Sequence, residues 1–572
     1  MAGNYQPFAA LMKKMICIAT VSILSVFSFI ANPLVALNSN ILDDGFAPQE
    51  STEFGYHGVI FREQAPFAET FSWLKSAAGL TCEDYRGNCQ QLTGPFSFHA
   101  LLPPCVSPTQ LDCIESLEVI TNDQGKVPGS YVGPFPTSGR NDFPADVEAS
   151  LPSGGTSGIW RFPGLNHAGG QDFFLRVGIS GSEVNGRFGI QSFHAELNGV
   201  ENIPAPCREF GNNYCGPRLN TFLERGEGTE LGGVAISTWS GLWSKGPSDC
   251  VMTGDSQCLQ RRAFSGDPKF QIAVRLHESP SGWLHGRITE SEIKIDPLSS
   301  SDQSVRIVIS GKLVRVPVIN TGNLYSNLPS SIQSAYSGGG FKRSPWMTRD
   351  FGCTRCADPL TRNLTSQPYP YGQDGMDELL LWLPAVKDTA TANLSTWSIR
   401  TLTVNELSGA TSCLKDTKRL VGLVTTNATQ YGAGPPSFVN NSLDYQVAAP
   451  HYTSNGEEFL GTYDLIIRSD VARCLYGFSN APLNASISVV DNSGVSTAAT
   501  KLVSEKDGWL RIAAYGFGFS TPTIKVNLSQ ASSPATKKVM AKKTTITCKK
   551  GTAVRKITGL KPSCPRNFRK IA

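Results

Sequence analysis

Ser304-Val-Arg-Ile-Val-Ile-Ser-Gly-Lys-Leu-Val-Arg-Val-Pro-Val318 alternates apolar and polar residues on either side of Gly311. Side chains of an extended chain point to opposite faces in turn, so a two-residue period marks a strand buried on one face. Two such arms joined at a glycine read as an antiparallel hairpin. The pattern recurs outward from this stretch. Gln271 to His277, Ser398 to Val404, Tyr463 to Arg468, Ala485 to Val490 and Thr523 to Leu528 are rich in Val, Ile and Thr and lie between Gly, Pro and Asn turns. Helical periods are confined to the N-terminal apolar run and Glu69 to Ala78. The expected fold class is all-β, with multi-domain antiparallel β-sandwiches and local disulfides behind an N-terminal signal helix.

With 572 residues the chain is too long for one core, and its 55 Gly and 36 Pro supply many turns. Ser334 to Arg343 interrupts the strand pattern, and Ala531 to Thr536 has linker composition. The expected domains are 1–36, a signal peptide; 37–340, β-rich and long enough for two subdomains; 341–532, a second sandwich; and 533–572, a basic tail. Two short echoes mark related strand candidates. Ser97-Phe98-His99-Ala100 recurs as Ser192-Phe193-His194-Ala195, and Gly282-Trp283-Leu284 as Gly508-Trp509-Leu510.

Lys13 and Lys14 precede an apolar run from Met15 to about Ala31, with Val35-Ala36 as a small-residue exit. The run is shorter than the roughly 20 residues of a spanning helix, so it reads as an export signal. An uncleaved helix, the alternative, would be the only expected membrane contact and would also place the body outside. Removing Cys17 with the signal leaves 14 of the 15 cysteines. They fall into near neighbours: Cys82 and Cys89, Cys105 and Cys113, Cys207 and Cys215, Cys250 and Cys258, Cys353 and Cys356, and Cys548 and Cys564, with Cys413 and Cys474 remaining. Spacing does not prove connectivity, but local bridges in an oxidising compartment account for the pattern. Zinc and thioredoxin-like readings of Cys353-Thr-Arg-Cys356 lack a second Cys-x-x-Cys, a nearby His and a βαβ context.

No stretch spells out a reaction. Gly178-Ile-Ser-Gly-Ser182 has Ser where a nucleophile elbow needs its last Gly, and it reads as a hairpin turn. His167, in the Gly-rich Pro163 to Asp172 loop, is the most site-like histidine and could be presented with Asp172. Glu196, Glu290 and Glu292 are the carboxylates available to a glycosidase, because acid and base sit on different strands and their separation is invisible in sequence. Asp374-Gly-Met-Asp-Glu378 could lend oxygens to calcium but lacks the EF-hand pattern and reads as an acidic turn. Trp239 and Trp243 could stack on a sugar ring or bury in a core. No metal, cofactor or catalytic residue is expected.

The charge distribution is the strongest functional clue. Ser533 to Ala572 carry 12 Lys and Arg and no Asp or Glu. Setting those 12 and the two lysines of residues 1–36 aside leaves 37 basic residues against all 47 acidic ones, a body of formal charge −10. In the tail, Lys542-Lys-Thr-Thr-Ile-Thr-Cys-Lys-Lys-Gly551 and Val554-Arg-Lys-Ile-Thr-Gly-Leu-Lys-Pro-Ser-Cys-Pro565 read as two short strands turned at Gly551. Closed by Cys548 and Cys564, the loop would gain roughly 3 kcal/mol. The expected contacts with anionic polymer are Lys542, Lys543, Lys549, Lys550, Arg555, Lys556, Lys561, Arg566, Arg569 and Lys570. Teichoic acid, acidic polysaccharide or anionic lipid would suit them. Nucleic acid is not expected, since export and the lack of interleaved aromatics other than Phe568 oppose it.

The steps Thr545-Ile-Thr-Cys548, Lys550-Gly551, Ile557-Thr-Gly559 and Lys561-Pro-Ser-Cys-Pro565 resemble a C-terminal element of exported actinobacterial proteins. The stretch from Gly461-Thr-Tyr-Asp-Leu465 through Asp507-Gly-Trp-Leu510 to Ile524 is similar to the domain preceding that element. The resemblance implies a secreted or envelope-associated protein and no particular catalytic residues. The expected function is a non-enzymatic structural or ligand-binding role at the cell envelope. The alternative is an extracellular carbohydrate-active or sugar-binding protein.

Overall fold

Val305–Leu324 is one continuous strand of 20 residues, not a hairpin. The structure, a computed structural model, describes residues 55–62, 71–204, 250–336, 363–530 and 543–571, apart from short gaps and with the backbone of a few strand residues between them. Over these residues the protein is mostly β, with several sheets and three α-helices. The long strand pairs in succession with Lys269–Leu276, Ala392–Thr401 and Tyr56–Phe61. Gly311 serves close approach, not turning. A Cβ there would lie 2.8 Å from the Cβ of Ile288, and the Trp397 indole donates to its carbonyl at 3.0 Å.

Gly178 to Ser182 is likewise no turn but the middle of Asp172–Val184. The real turn is Asn185-Gly186, whose φ values of 54° and 76° suit a two-residue hairpin leading into Arg187–Pro204. A Cβ on Gly178 would meet the His194 ring at 2.3 Å. Where a helix was expected, Trp73–Ser76 is a strand, with Leu74 and Ser76 buried and Trp73 and Lys75 turned outward.

Trp73–Ser76, Phe96–Leu101, Asp172–Val184, Arg187–Pro204, Ala392–Thr401, Gly282–Pro297, Leu420–Thr426, Leu460–Arg468, Trp509–Gly518 and Thr500–Lys506 follow one another in a continuous ladder. Only Gly282–Pro297 with Leu420–Thr426 is parallel. Strands from both sides of residue 340 alternate in this ladder, so its hydrogen bonding continues across the boundary expected there. The Ala531 to Thr536 linker lies outside the described residues.

Part of the ladder is buried on both faces. Leu284 and Ile466 join a core that also holds Phe98, Leu175, Phe193, Ile272 and Ile309. Trp283, Leu465 and Ile467 join another, with Tyr445, Ile487, Ile512 and Ile524. Leu420–Thr426 is accordingly buried at every position, as expected of a strand covered on both sides. In the Gly-Trp-Leu echo, Gly282 and Gly508 each have φ of 78°.

Disulfides join Cys82 to Cys89, Cys105 to Cys113, Cys413 to Cys474 and Cys548 to Cys564. Cys413–Cys474 ties the turn Ser412–Leu414 to the helix Ser469–Tyr476. Cys258 is also disulfide-bonded. The side chains of Cys207, Cys215, Cys250, Cys353 and Cys356, like residues 1–36, lie outside the described residues. Such bridges mark an oxidising, extracytoplasmic environment. Among the described residues, no helix is long and apolar enough to cross a membrane.

Candidate functional site

The tail forms a small three-stranded antiparallel sheet in which Thr544–Lys550 lies between Ala553–Gly559 and Arg569–Lys570. Gly551, with φ of 60°, turns the first pair, and Cys548–Cys564 closes the unit. Cys548 is the only buried residue among the described tail residues. A sheet this small has little apolar burial, and its covalent bridge substitutes for a core. Lys543, Lys549, Lys550, Arg555, Lys556, Lys561, Arg566, Arg569 and Lys570 are all exposed, while Lys542 lies outside the described residues.

Register sorts these cations by face, because directly opposed residues share one. Cys548 opposes Arg555 and Lys570, which places both with Lys550 on the disulfide side. The Arg555 guanidinium there sits 5.6 Å from the Phe568 ring centre. Lys549 opposes Val554 and Arg569, and Thr547 opposes Lys556. Those residues share the other face with Thr545 and Thr558, whose hydroxyls lie 2.7 Å apart.

A second candidate is a cleft of 290 Å³ lined by Arg161, Gly169, Gly170, Gln171, Asp172, Val200, Glu201 and Asn202. It borders the loop of His167, but His167 and Asp172 are not a carboxylate–imidazole pair. His167 Nε2 donates to the Asp172 backbone carbonyl at 2.7 Å, and the Gly169 N–H donates to Nδ1 at 3.0 Å. These two bonds fix a neutral tautomer, and burial keeps its pKa low. The carboxylates of Asp172 and Glu201 are held by Arg161 at 2.5 Å and Arg262 at 2.6 Å. Gln171 and Asn202 complete a polar lining that no sequence motif announced.

The three glutamates considered for glycoside chemistry do not share a groove position. Glu196 is sealed inside, 3.4 Å from Arg261 and 3.8 Å from Arg176, and accepts from Asn198 at 2.9 Å. Glu290 lies within the bulge between Thr289 and Glu292 of Gly282–Pro297, and Glu290 and Glu292 pair with Lys312 at 2.5 Å and Lys269 at 2.9 Å. Asp374 to Glu378 belongs to the helix Gln373–Trp382 instead of a turn. Glu378 is buried there and accepts from the Tyr336 hydroxyl, which takes the Trp382 indole N–H at 2.9 Å. Among the described residues no group of three or more His, Cys, Asp or Glu could hold a metal ion.

The two histidines of the Ser-Phe-His-Ala echo flank the same strand, opposite Ser180 and Gly178, and their rings stack 5.2 Å apart. Burial lowers the His99 pKa to about 4, with Arg176 adding to it, and burial also holds His194 well below the usual value. Trp239 and Trp243 lie outside the described residues. No family model, curated protein or solved structure matches the chain.

Proposed function

We propose that the chain is an exported β-sandwich protein of the bacterial cell envelope, with a non-enzymatic structural or ligand-binding role, whose basic tail contacts anionic surface polymers. The observation that carries this reading is nine exposed cations on a disulfide-closed sheet that contains no acidic residue. A body of opposite net charge would not hold such a tail tightly, since exposed charges act only over about 8 Å at physiological salt. Contact with a dense polyanion would. The local disulfides and the likeness of the tail to elements of exported proteins support an extracytoplasmic address.

The test is to delete Ser533 to Ala572 and fractionate cells. The full chain is expected with the envelope and to be released by salt, and the truncated chain in the medium. Unchanged retention rejects the anchoring role. A sugar-binding reading is favoured by the polar cleft beside the His167 loop. It predicts saturable protection of Asn202 and Gln171 amides by a monosaccharide, and no protection across a sugar panel rejects it.

A further inference from the structure

Resting on the anionic-polymer reading, we propose that the open face of the tail sheet, carrying Lys549, Lys556 and Arg569, is the binding track, and that its ligand is an acyclic polyol phosphate chain.

The two faces of the tail differ in chemistry. On the disulfide side, Cys548 is buried and Arg555 lies over Phe568, so that face is partly occupied by the chain's own segment. Among the described residues, none is seen against the opposite face in this way. Lys549, Val554, Lys556, Thr558 and Arg569 are exposed across all three strands. Lys549 and Arg569 are directly opposed in the register. Like charges in that position destabilise a sheet pair, since their Cβ atoms are only about 5 Å apart. The tail has no carboxylate side chain to relieve them. An external anion lying between the two would turn this repulsion into a pair of charge-assisted contacts. Lys556 sits on the diagonal from Lys549, at roughly 7 to 8 Å, and extends the cationic track by another contact.

The remaining residues of the face select among polyanions. Thr545, Thr547 and Thr558 present hydroxyls along it, and no aromatic side chain occurs among the face residues. Polymers built from sugar rings offer flat faces that aromatic side chains recognise by stacking. Acyclic polyols joined by phosphodiesters have no such face. They offer hydroxyls and regularly spaced charges, which Thr, Lys and Arg match.

The test uses the full oxidised chain and two variants that each remove three charges, K549Q/K556Q/R569Q from the open face and K550Q/R555Q/K570Q from the disulfide face. Binding to poly(glycerol phosphate) is measured over a salt series. The open-face variant is expected to bind at least 10-fold more weakly, with the slope of log affinity against log salt reduced by about 2, at roughly 0.7 per lost contact. The disulfide-face variant should change affinity less than 3-fold. K556Q alone, which leaves the Lys549–Arg569 pair in place, should lose about 3-fold and guards against misfolding of the triple variant. Equal losses in both triple variants overturn the face assignment while leaving the polyanion reading intact. Equal or tighter binding to polygalacturonate overturns the polyol phosphate assignment. Binding of the unaltered chain to neither polymer overturns the underlying reading as well.

Discussion

The Tyr515 hydroxyl donates to the carboxylate of Asp464 at 2.6 Å, and Thr425 donates to its other oxygen at 3.1 Å. Asp464 is buried in a strand of the shared ladder, and burial raises its pKa from 3.8 to about 6. A folded pKa above the unfolded one means that the group contributes stability below 3.8, and that this is lost as pH rises through 6. Asp464→Asn keeps both hydrogen-bond positions filled. The stability of the wild type relative to this variant should fall by about 3 kcal/mol between pH 3.5 and pH 7, read by urea unfolding.

The buried histidines act in the opposite direction. Burial and Arg176 depress the His99 pKa to about 4, so its neutral form is stabilising above 6.5 and this is lost as pH falls toward 4. Relative to His99→Gln, the wild type should lose about 2 kcal/mol between pH 6.5 and pH 5. His194 and His285 are depressed as well, so the protein as a whole should unfold more readily in the same window.

Glu196 lies between two buried arginines, and Glu196→Gln removes the charge that balances them. Breaking such a buried set costs about 3 to 5 kcal/mol. The denaturation midpoint should drop accordingly with the m-value unchanged, and a stability change below 1 kcal/mol would show that the triad is not balanced by Glu196.

Gly311→Ala should cost about 1 to 3 kcal/mol by overpacking against Ile288. Combining it with Ile288→Val should recover only part of this, because valine removes the Cδ1 contact at 2.8 Å but keeps the Cβ contact at the same distance.

Without its bridge the tail has almost no core. Cys548→Ser with Cys564→Ser removes roughly 3 kcal/mol of loop constraint. Hydrogen exchange should show the amides of Thr544–Lys550 losing protection while those of Leu460–Arg468 keep theirs. Persistent tail protection would assign its stability to the strands themselves.

Much of the strand content was legible because alternation is a local property. Lys269–Leu276, Leu460–Arg468, Leu483–Val490 and Thr523–Gln530 occur where Val, Ile and Thr alternate. The failures cluster at glycines. Gly311 and Gly178 were read as turns because a glycine frees the backbone, yet here each makes room for a side chain from another strand. Trp73–Ser76 is a strand through its pairing with Phe96–Leu101, which a helical period over so short a segment does not reveal.

The candidate sites divide in the same way. The basic tail was visible because net charge is additive along a chain, and its disulfide because its cysteines are close in sequence. The cleft was not, since Arg161, Gln171 and Asn202 carry no motif and meet only when the His167 loop folds over the Arg187–Pro204 strand.

The sequence by itself determined the β character, the separation of positive tail from negative body and the grouping of cysteines, all of which depend on composition or near-neighbour spacing. Only the tertiary structure decided that Glu196 is buried between Arg176 and Arg261, that His99 stacks on His194, and that Lys549 and Arg569 share one face of the tail sheet. Those relationships depend on which strands lie side by side. Strand order is set by the sum of many weak long-range contacts, none of which is encoded at any single position.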